Sequence, residues 1–297
     1  MSTEIFRDDF VKYKNFKSLM SVDLRGGRKN KRFHILSTED LEKSDIDKYS
    51  LGCEITDLKP TGFFVPVFPK FDPELTGEHG QRTIISLIGP SGCGKSTLAS
   101  RLAKQWAKAN KNNEGGQVII ISPRTDNKEL RGMKPQIINC VDREKIQKNF
   151  IDDETRVRFL NDDGSCDFEN SLLIVDDIEG IVAQNKKELD TIHRNIISDI
   201  IVPCLIHGRH SNCSLIYVKH QSDLNSPFSR LVQSESHYVG LFPRLGDHRK
   251  ITYMMKNHLL LPPPYIKRVL SINPYYALFS VRFPGYTVCE RQLIKPQ

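Results

Sequence analysis

The sequence predicts an α/β fold, a parallel sheet with helices on both faces. Three observations predict it. Short, wholly apolar runs recur along the middle of the chain. Stretches with helical spacing of apolar residues lie between them. The first apolar run is closed by a glycine-rich loop that opens directly into one of those stretches. Strands that read as unbroken apolar runs, and not as alternating ones, are buried on both faces, the condition of a parallel sheet under helices.

Taken in order, Thr83–Ile88 (TIISLI) is a buried strand ended by Gly-Pro. Ser96–Ala109 is a helix with Leu98, Leu102, Gln105 and Trp106 along one stripe, and Asn-Glu-Gly-Gly at 113–116 ends the linker that follows. Val118–Ser122 (VIIIS), Leu172–Val175 (LLIV) and Ser214–Val218 (SLIYV) are three further buried strands. Lys187–Ile206 is a long helix with Leu189, Ile192, Ile196, Ile197, Ile200 and Ile201 as its apolar positions. This divides the chain into an unassigned N-terminal region (1–80), a core (81–245) and a basic C-terminal region that completes the core (246–297).

Composition narrows the function. Hydrophobic residues make up 38% of the 297, enough for a real core. No stretch of about 18 residues is free of charge, so no membrane span is expected. The opening MSTEIFRDDF is acidic and polar, unlike a signal peptide. Seven scattered cysteines argue against a disulfide framework and for a reducing compartment. The net charge of +7 sits almost wholly in residues 241–297, where nine lysines and arginines face two acidic residues. Such a region suits a polyanion, most often nucleic acid; the plainer alternative is a solvated basic surface. A second basic run, Arg25–Arg32 (RGGRKNKR), reads first as a solvated loop and second as a phosphate contact.

The loop itself is Gly89-Pro90-Ser91-Gly92-Cys93-Gly94-Lys95-Ser96-Thr97, a match to G-x-x-x-x-G-K-[ST] in its strand–loop–helix setting. A triphosphate concentrates negative charge. Glycines let the backbone curl so that successive N–H groups face the phosphate oxygens, and the helix adds its positive N-terminal end. Lys95 reaches the β- and γ-phosphates and the Ser96 hydroxyl ligates Mg²⁺. The expected cofactors are therefore ATP and Mg²⁺.

A second carboxylate on the Mg²⁺ side is expected at a neighbouring strand end, and LLIVDD supplies Asp176. Asp177 is then placed to orient or deprotonate the attacking water, with Glu179 as the fallback. Gln221, just past the strand in SLIYVKHQ, is the candidate sensor of the γ-phosphate, an ordinary surface glutamine being the alternative. Cys204, His207, His210 and Cys213 recur at a spacing of three, but zinc sites pair their ligands across a longer spacer. The better reading is a helix end, with Gly208 as its break and Arg209 projecting toward a nucleotide, including that of a neighbouring copy.

GPSGCGKST, then LLIVDDI, then a helix ending in HGRH, then a short strand ending in Gln together resemble the genome-packaging ATPases of large double-stranded DNA viruses. These are the poxvirus-type members of the FtsK/HerA group of P-loop motors. The resemblance covers about residues 81–245. It implies a RecA-like core, a homo-oligomeric ring, and ATP-driven translocation of duplex DNA into a capsid, with capsid proteins as partners. The host cytoplasm, at the viral assembly site, or the virion is the implied location. It also implies an arginine supplied between subunits, for which Arg209 is the matching position. Relatives in bacteria usually carry Glu where this chain has Asp177.

Three other functions compete with this one. An ABC-type ATPase needs an LSGGQ-like signature, and none lies between 98 and 175. A nucleotide kinase needs an arginine-rich lid, for which Arg156 and Arg158 are candidates. A nucleotide-dependent interaction module needs only the loop.

Overall fold

Why these segments fold as they do is clearest from the alternation of apolar runs and helical stretches along the chain. The computed structural model describes residues 3–14, 20–25, 31–39, 41–51, 54–55, 63–66, 82–110, 117–123, 133, 135–181, 183–220, 227–281, 285–290 and 292–294. In chain order, the first elements are β1 (Thr3–Arg7), α1 (Asp8–Lys14), β2 (Met20–Arg25), β3 (Lys31–Ser37), α2 (Lys43–Tyr49), β4 (Glu54–Ile55) and β5 (Phe63–Pro66). Next come β6 (Ile84–Ile88), α3 (Lys95–Ala109), β7 (Val118–Ser122), β8 (Gln136–Asn139), α4 (Arg143–Ile146), β9 (Leu172–Asp176), α5 (Lys186–Asn195), α6 (Val202–His207), β10 (Ser214–Lys219) and α7 (Pro227–Glu235). The last are β11 (Tyr238–Leu241), α8 (His248–Asn257), α9 (Pro263–Ile272), β12 (Ala277–Ser280), β13 (Thr287–Cys289) and β14 (Leu293–Ile294). The chain divides into two units, one of residues 68–87 and 95–236 and one of residues 1–67, 88–94 and 237–297.

The first unit is the expected helix-covered parallel sheet, in the order β6-β10-β9-β7-β8. β8 pairs parallel with β7, β7 with β9 and β9 with β10, the last in the register Ser214↔Leu172 to Val218↔Asp176. The starts of β6 and β10 lie together: the Thr83 N–H donates to Ser214 Oγ at 3.0 Å and the Leu215 N–H to the Thr83 carbonyl at 3.0 Å. Both strands therefore run to the same edge of the sheet. Every residue of β6, β7, β9 and β10 is buried. Each fully buried Ile, Leu or Val contributes roughly 1.5–3 kcal/mol, which is why these runs carry no alternation. α3 adds Leu98, Ala99, Leu102, Ala103 and Trp106 to the core. β8 went unread in the sequence: polar Gln136 and Asn139 bound its two isoleucines, and Ile137 is exposed, so it carries no continuous apolar signal.

The long helix read at 187–206 is a helical run over residues 186–207, but a π-helical turn at Ile196–Ile201 separates α5 from α6. Pro203 has no N–H to offer the Asp199 carbonyl four residues back, and the Phe159 N–H takes that carbonyl at 2.7 Å. At the end of α6, Gly208 keeps a right-handed conformation (φ −58°, ψ −13°). The helix therefore ends at the glycine read as its break, without a left-handed turn. Glycine is needed for space: an added Cβ would lie 2.3 Å from the Cys204 carbonyl oxygen and 3.0 Å from an Arg82 nitrogen.

Among the described residues, the strand pairs of the second unit are antiparallel. β1-β3-β2-β5 form one sheet, with Ile5 opposite Ile35, and β4-β14-β13-β12-β11 run in order in another. α8 starts at Asp247, whose side chain accepts from the Arg249 N–H at 2.8 Å. α9 starts on Pro263 and ends with Asn273 at φ 49°, a left-handed cap. No helix among the described residues is long and apolar enough to cross a membrane.

Candidate nucleotide-hydrolysis site

The glycine loop bends as its composition demands. Gly92 and Gly94 take φ +74° and +97°, values that a side chain resists, and nothing stands within 4 Å of a Cβ built on either. Gly89 is glycine for a different reason: a Cβ there would meet Cys93 Sγ at 2.7 Å and the Phe242 ring at 3.0 Å. Ser91, Gly92 and Gly94 are exposed, Cys93 is buried, and Pro90 is half-buried. The loop passes without a break into α3 at Lys95, which is only 7% exposed, while Ser96 and Thr97 are half-buried. A lysine stem packed into a helix start holds its ammonium to a narrow range of positions, which suits a fixed phosphate.

β9 carries the second part. Asp176 is its last residue and is 6% exposed. Asp177 then turns the chain with φ 59°, ψ 37°, a left-handed conformation that aspartate tolerates better than most residues. β10 lies between β6 and β9, so the residue just past its end stands beside the Asp176–Asp177 turn. That residue is His220, whose Nε2 lies 2.8 Å from Asp177 Oδ1. A carboxylate oxygen only accepts, so Nε2 carries the proton and donates. His193 of α5 pins the next residue of the turn through the Ile178 carbonyl at 2.8 Å. Two histidines thus hold the turn after β9, one by a side chain and one by the backbone. Among the described residues, His220, next to the expected Gln221, is therefore the one at this strand end that reaches the Asp177 carboxylate. The signal available was a titratable residue directly after the strand that sits beside the aspartates. Gln221 lies outside the described residues. Glu179 is exposed on the short turn Ile178–Gly180.

Arg209 is exposed, just after α6 and before β10 begins. It therefore stands at the edge where strands start, whereas Asp176 stands where they end. β10, six residues at about 3.3 Å each, separates the two by roughly 20 Å. Beside it, Arg82 is buried and donates to the Cys204 and Leu205 carbonyls at 2.7 and 2.8 Å, closing the end of α6. Burial lowers its pKa, with the nearby Arg209 charge acting in the same direction. In the His/Cys segment the four side chains do not converge: Cys204 and Cys213 are buried with sulfurs 3.8 Å apart, and His207 and His210 are exposed. Arg156 is bound to Asp199 at 2.9 Å and to Asp153, and Arg158 to Asp162 at 2.9 Å, so these lid candidates serve local structure.

A family model for the NACHT domain matches residues 83–256, more than half of the chain. This chain belongs to the NACHT family. The NACHT segment contains the glycine loop, α3, the Asp176–Asp177 turn and His220, and it makes the protein a P-loop NTPase that binds nucleotide. No curated protein matches it. Among solved structures it is similar to Thermomonospora curvata EccC (ATPases 2 and 3) in complex with a signal sequence peptide, at 14% identity and a TM-score of 0.37 over 73% of this chain and 37% of that one. It is also similar to the genome-packaging NTPase B204 of Sulfolobus turreted icosahedral virus 2 in complex with ATP-gammaS (13%, TM-score 0.38, 72% and 98%). A third is the pCW3 conjugation coupling protein TcpA with ATPgS (11%, TM-score 0.40, 92% and 77%). The chain spans little more than a third of the EccC chain.

Proposed function

We propose that this NACHT protein is an ATP-driven motor that moves duplex DNA into a viral capsid. The observation that supports hydrolysis best is the Asp177–His220 pair at 2.8 Å, next to buried Asp176 and on the sheet edge toward which β6 runs. In this reading the N–H groups of Gly89–Thr97 and Lys95 hold the triphosphate. Ser96 and Asp176 offer a hydroxyl and a carboxylate, hard oxygen donors of the kind Mg²⁺ takes. Bound Mg²⁺ would neutralise charge on the β- and γ-phosphates. Asp177 orients the attacking water and accepts its proton, and His220 fixes the plane of that carboxylate. Gln221 reports the γ-phosphate. Arg209 stands at the wrong edge to serve its own site, so it acts on the site of the next copy in a homo-oligomeric ring.

Support for duplex DNA is the charge of the C-terminal region together with the sequence resemblance. α8 buries Ile251, Met254 and Met255 and turns Arg249, Tyr253 and Lys256 outward on one stripe; Lys250 and Lys267 are also exposed. A motor grips any sequence, so these residues contact phosphates and not base edges. Capsid proteins are the docking partners, and the assembly site or the virion is the location. Residues 81–245 form the ATPase core, which 246–297 complete.

The deciding experiment is phosphate release from ATP with and without duplex DNA. Stimulation by DNA, abolished in Lys95→Ala, is expected. Transfer of phosphate to a nucleotide would make the protein a kinase, and binding without either would make it an interaction module. Mixing Arg209→Ala with Lys95→Ala subunits should restore some activity. No recovery in confirmed oligomers would remove the arginine from the mechanism.

A further inference from the structure

The N-terminal region holds a cavity that the hydrolysis site does not use. It has a volume of about 480 Å³ and is lined by Arg7, Asp9, Phe10 and Tyr13 from β1 and α1, and by Lys48 and Tyr49 from the end of α2. Such a volume lies in the range, roughly 300–1,000 Å³, of cavities that hold small organic ligands.

Three features of its wall restrict what it takes. First, aromatic rings are stacked toward it: Phe6 on Phe10 (centroids 5.0 Å, 22°) and Phe10 on Tyr49 (4.7 Å, 26°). Tyr13, one turn beyond Phe10 on α1, is 82% exposed, a large ring that the fold leaves bare at the cavity. Second, two cations meet one anion there. Lys48 Nζ stands 5.0 Å from the centre of the Tyr49 ring, and Arg7 lines the same cavity, so the lining carries a net positive charge with Asp9 as acceptor. Third, both ring faces and cations are side chains of short elements in one small sheet-and-helix layer, held by the Asp8–His34 contact at 3.0 Å and the Lys14–Asp45 pair at 3.2 Å.

A flat ring that stacks, an anionic group for lysine and arginine, and a donor for a carboxylate are together the chemistry of a nucleotide. We propose that this cavity binds an unpaired nucleobase together with its phosphate, the ring on Tyr13, the phosphate on Arg7 and Lys48, and a base or sugar donor on Asp9. Stacking on tyrosine tolerates any base, because every base presents a π-face. A base within intact duplex shows no free face, so the cavity selects either a free mononucleotide or a base released from a strand. The proposal stands independently of the hydrolysis site.

The test is anisotropy of a labelled ten-nucleotide oligothymidylate on the full chain, with thymidine monophosphate and unlabelled duplex as competitors. Tyr13→Ala should weaken binding about tenfold, in line with the loss of one stacked base, and Tyr13→Phe should retain it. Lys48→Ala should lower the salt slope by about 0.7, the loss of one phosphate contact on a single strand. Lys43→Ala, exposed on α2 but outside the cavity lining, should change nothing. Competition by the monophosphate identifies a free nucleotide as ligand, and binding of the oligomer alone identifies a strand; either supports the site. No binding by the wild type, equal affinity of Tyr13→Ala, or duplex competing as well as single strand would overturn it.

Discussion

Charged side chains are treated in opposite ways in two parts of this molecule. In the parallel-sheet unit, Arg82, Lys95, Asp176 and Lys219 are all buried. In residues 237–297, every described lysine and arginine is exposed except Arg268, which is half-buried. A buried charge is costly unless it meets a fixed partner, so it acts singly and through geometry. Arg82 holds two carbonyls, Lys219 donates to Ser229, and Asp176 ends a strand beside the His220–Asp177 pair. An exposed charge is screened by salt, so it acts in numbers and without fine geometry. The difference separates a unit in which single charges are fixed by geometry from a region whose charges stand in solvent.

The comparison can be broken at its strongest point first. Lys95→Ala should reduce phosphate release by about 10²–10³-fold or more, with little dependence on ionic strength, because the lost charge acts inside the site. Asp177→Asn should spare nucleotide binding and stop turnover. His220→Ala should cost less than Asp177→Asn, since it removes a donor that holds the carboxylate but leaves the carboxylate itself. A rate equal to that of wild type would remove His220 from the mechanism. Next, Arg82→Ala should destabilise the fold by about 2–4 kcal/mol in denaturant titration, because two helix-end carbonyls lose their donor. Arg82→Lys should not restore this, since an ammonium does not reproduce the planar fork. If Arg82→Ala unfolds no more easily than wild type, buried charge in this unit carries no structural role.

On the exposed side, reversing Arg249 and Lys250 to glutamate should lower the salt slope of duplex binding by about two, leaving phosphate release without DNA unchanged. Equal slopes would make the C-terminal charge a solvated surface only. The smallest effect tests an intermediate case. Asp8 is partly exposed; burial raises its pKa, but hydrogen bonds from Lys12 and His34 outweigh that and hold it below the usual carboxylate range. A depressed pKa contributes stability above the unfolded value, and that stability is lost as pH falls through the folded value. Asp8→Asn should therefore lose a little stability at neutral pH and show a shallower decline below about pH 4.

Much of the parallel-sheet unit was legible because burial on both faces leaves no room for alternation. TIISLI, VIIIS, LLIV and SLIYV all became strands, with VIIIS unchanged and the other three shifted by one residue at one end. The glycine loop was legible because its residues answer to chemistry as well as to backbone shape. The N-terminal sheet was not: β3 buries its centre and exposes its start, and although β2 is its neighbour in sequence, its other partner β1 lies beyond α1 and β2, so no local period marks the sheet. His220 was missed because its meaning depends on β10 lying beside β9, which is a fact of pairing and not of spacing. The run Arg25–Arg32 falls largely outside the described residues, as does Arg282.

Pro203 leaves a mark well beyond its own turn. In an ordinary helix interior a proline costs about 3 kcal/mol, and its removal should be a gain. Here the carbonyl it cannot satisfy has been given to the Phe159 N–H, and Arg156 reaches the side chain of the same Asp199. The helix serves as a socket for the preceding loop. Restoring an N–H at 203 would set two donors in competition for one oxygen. Drift at this position is therefore tied to residues 156–159, and an improvement judged from the helix alone would loosen the loop that rests on it.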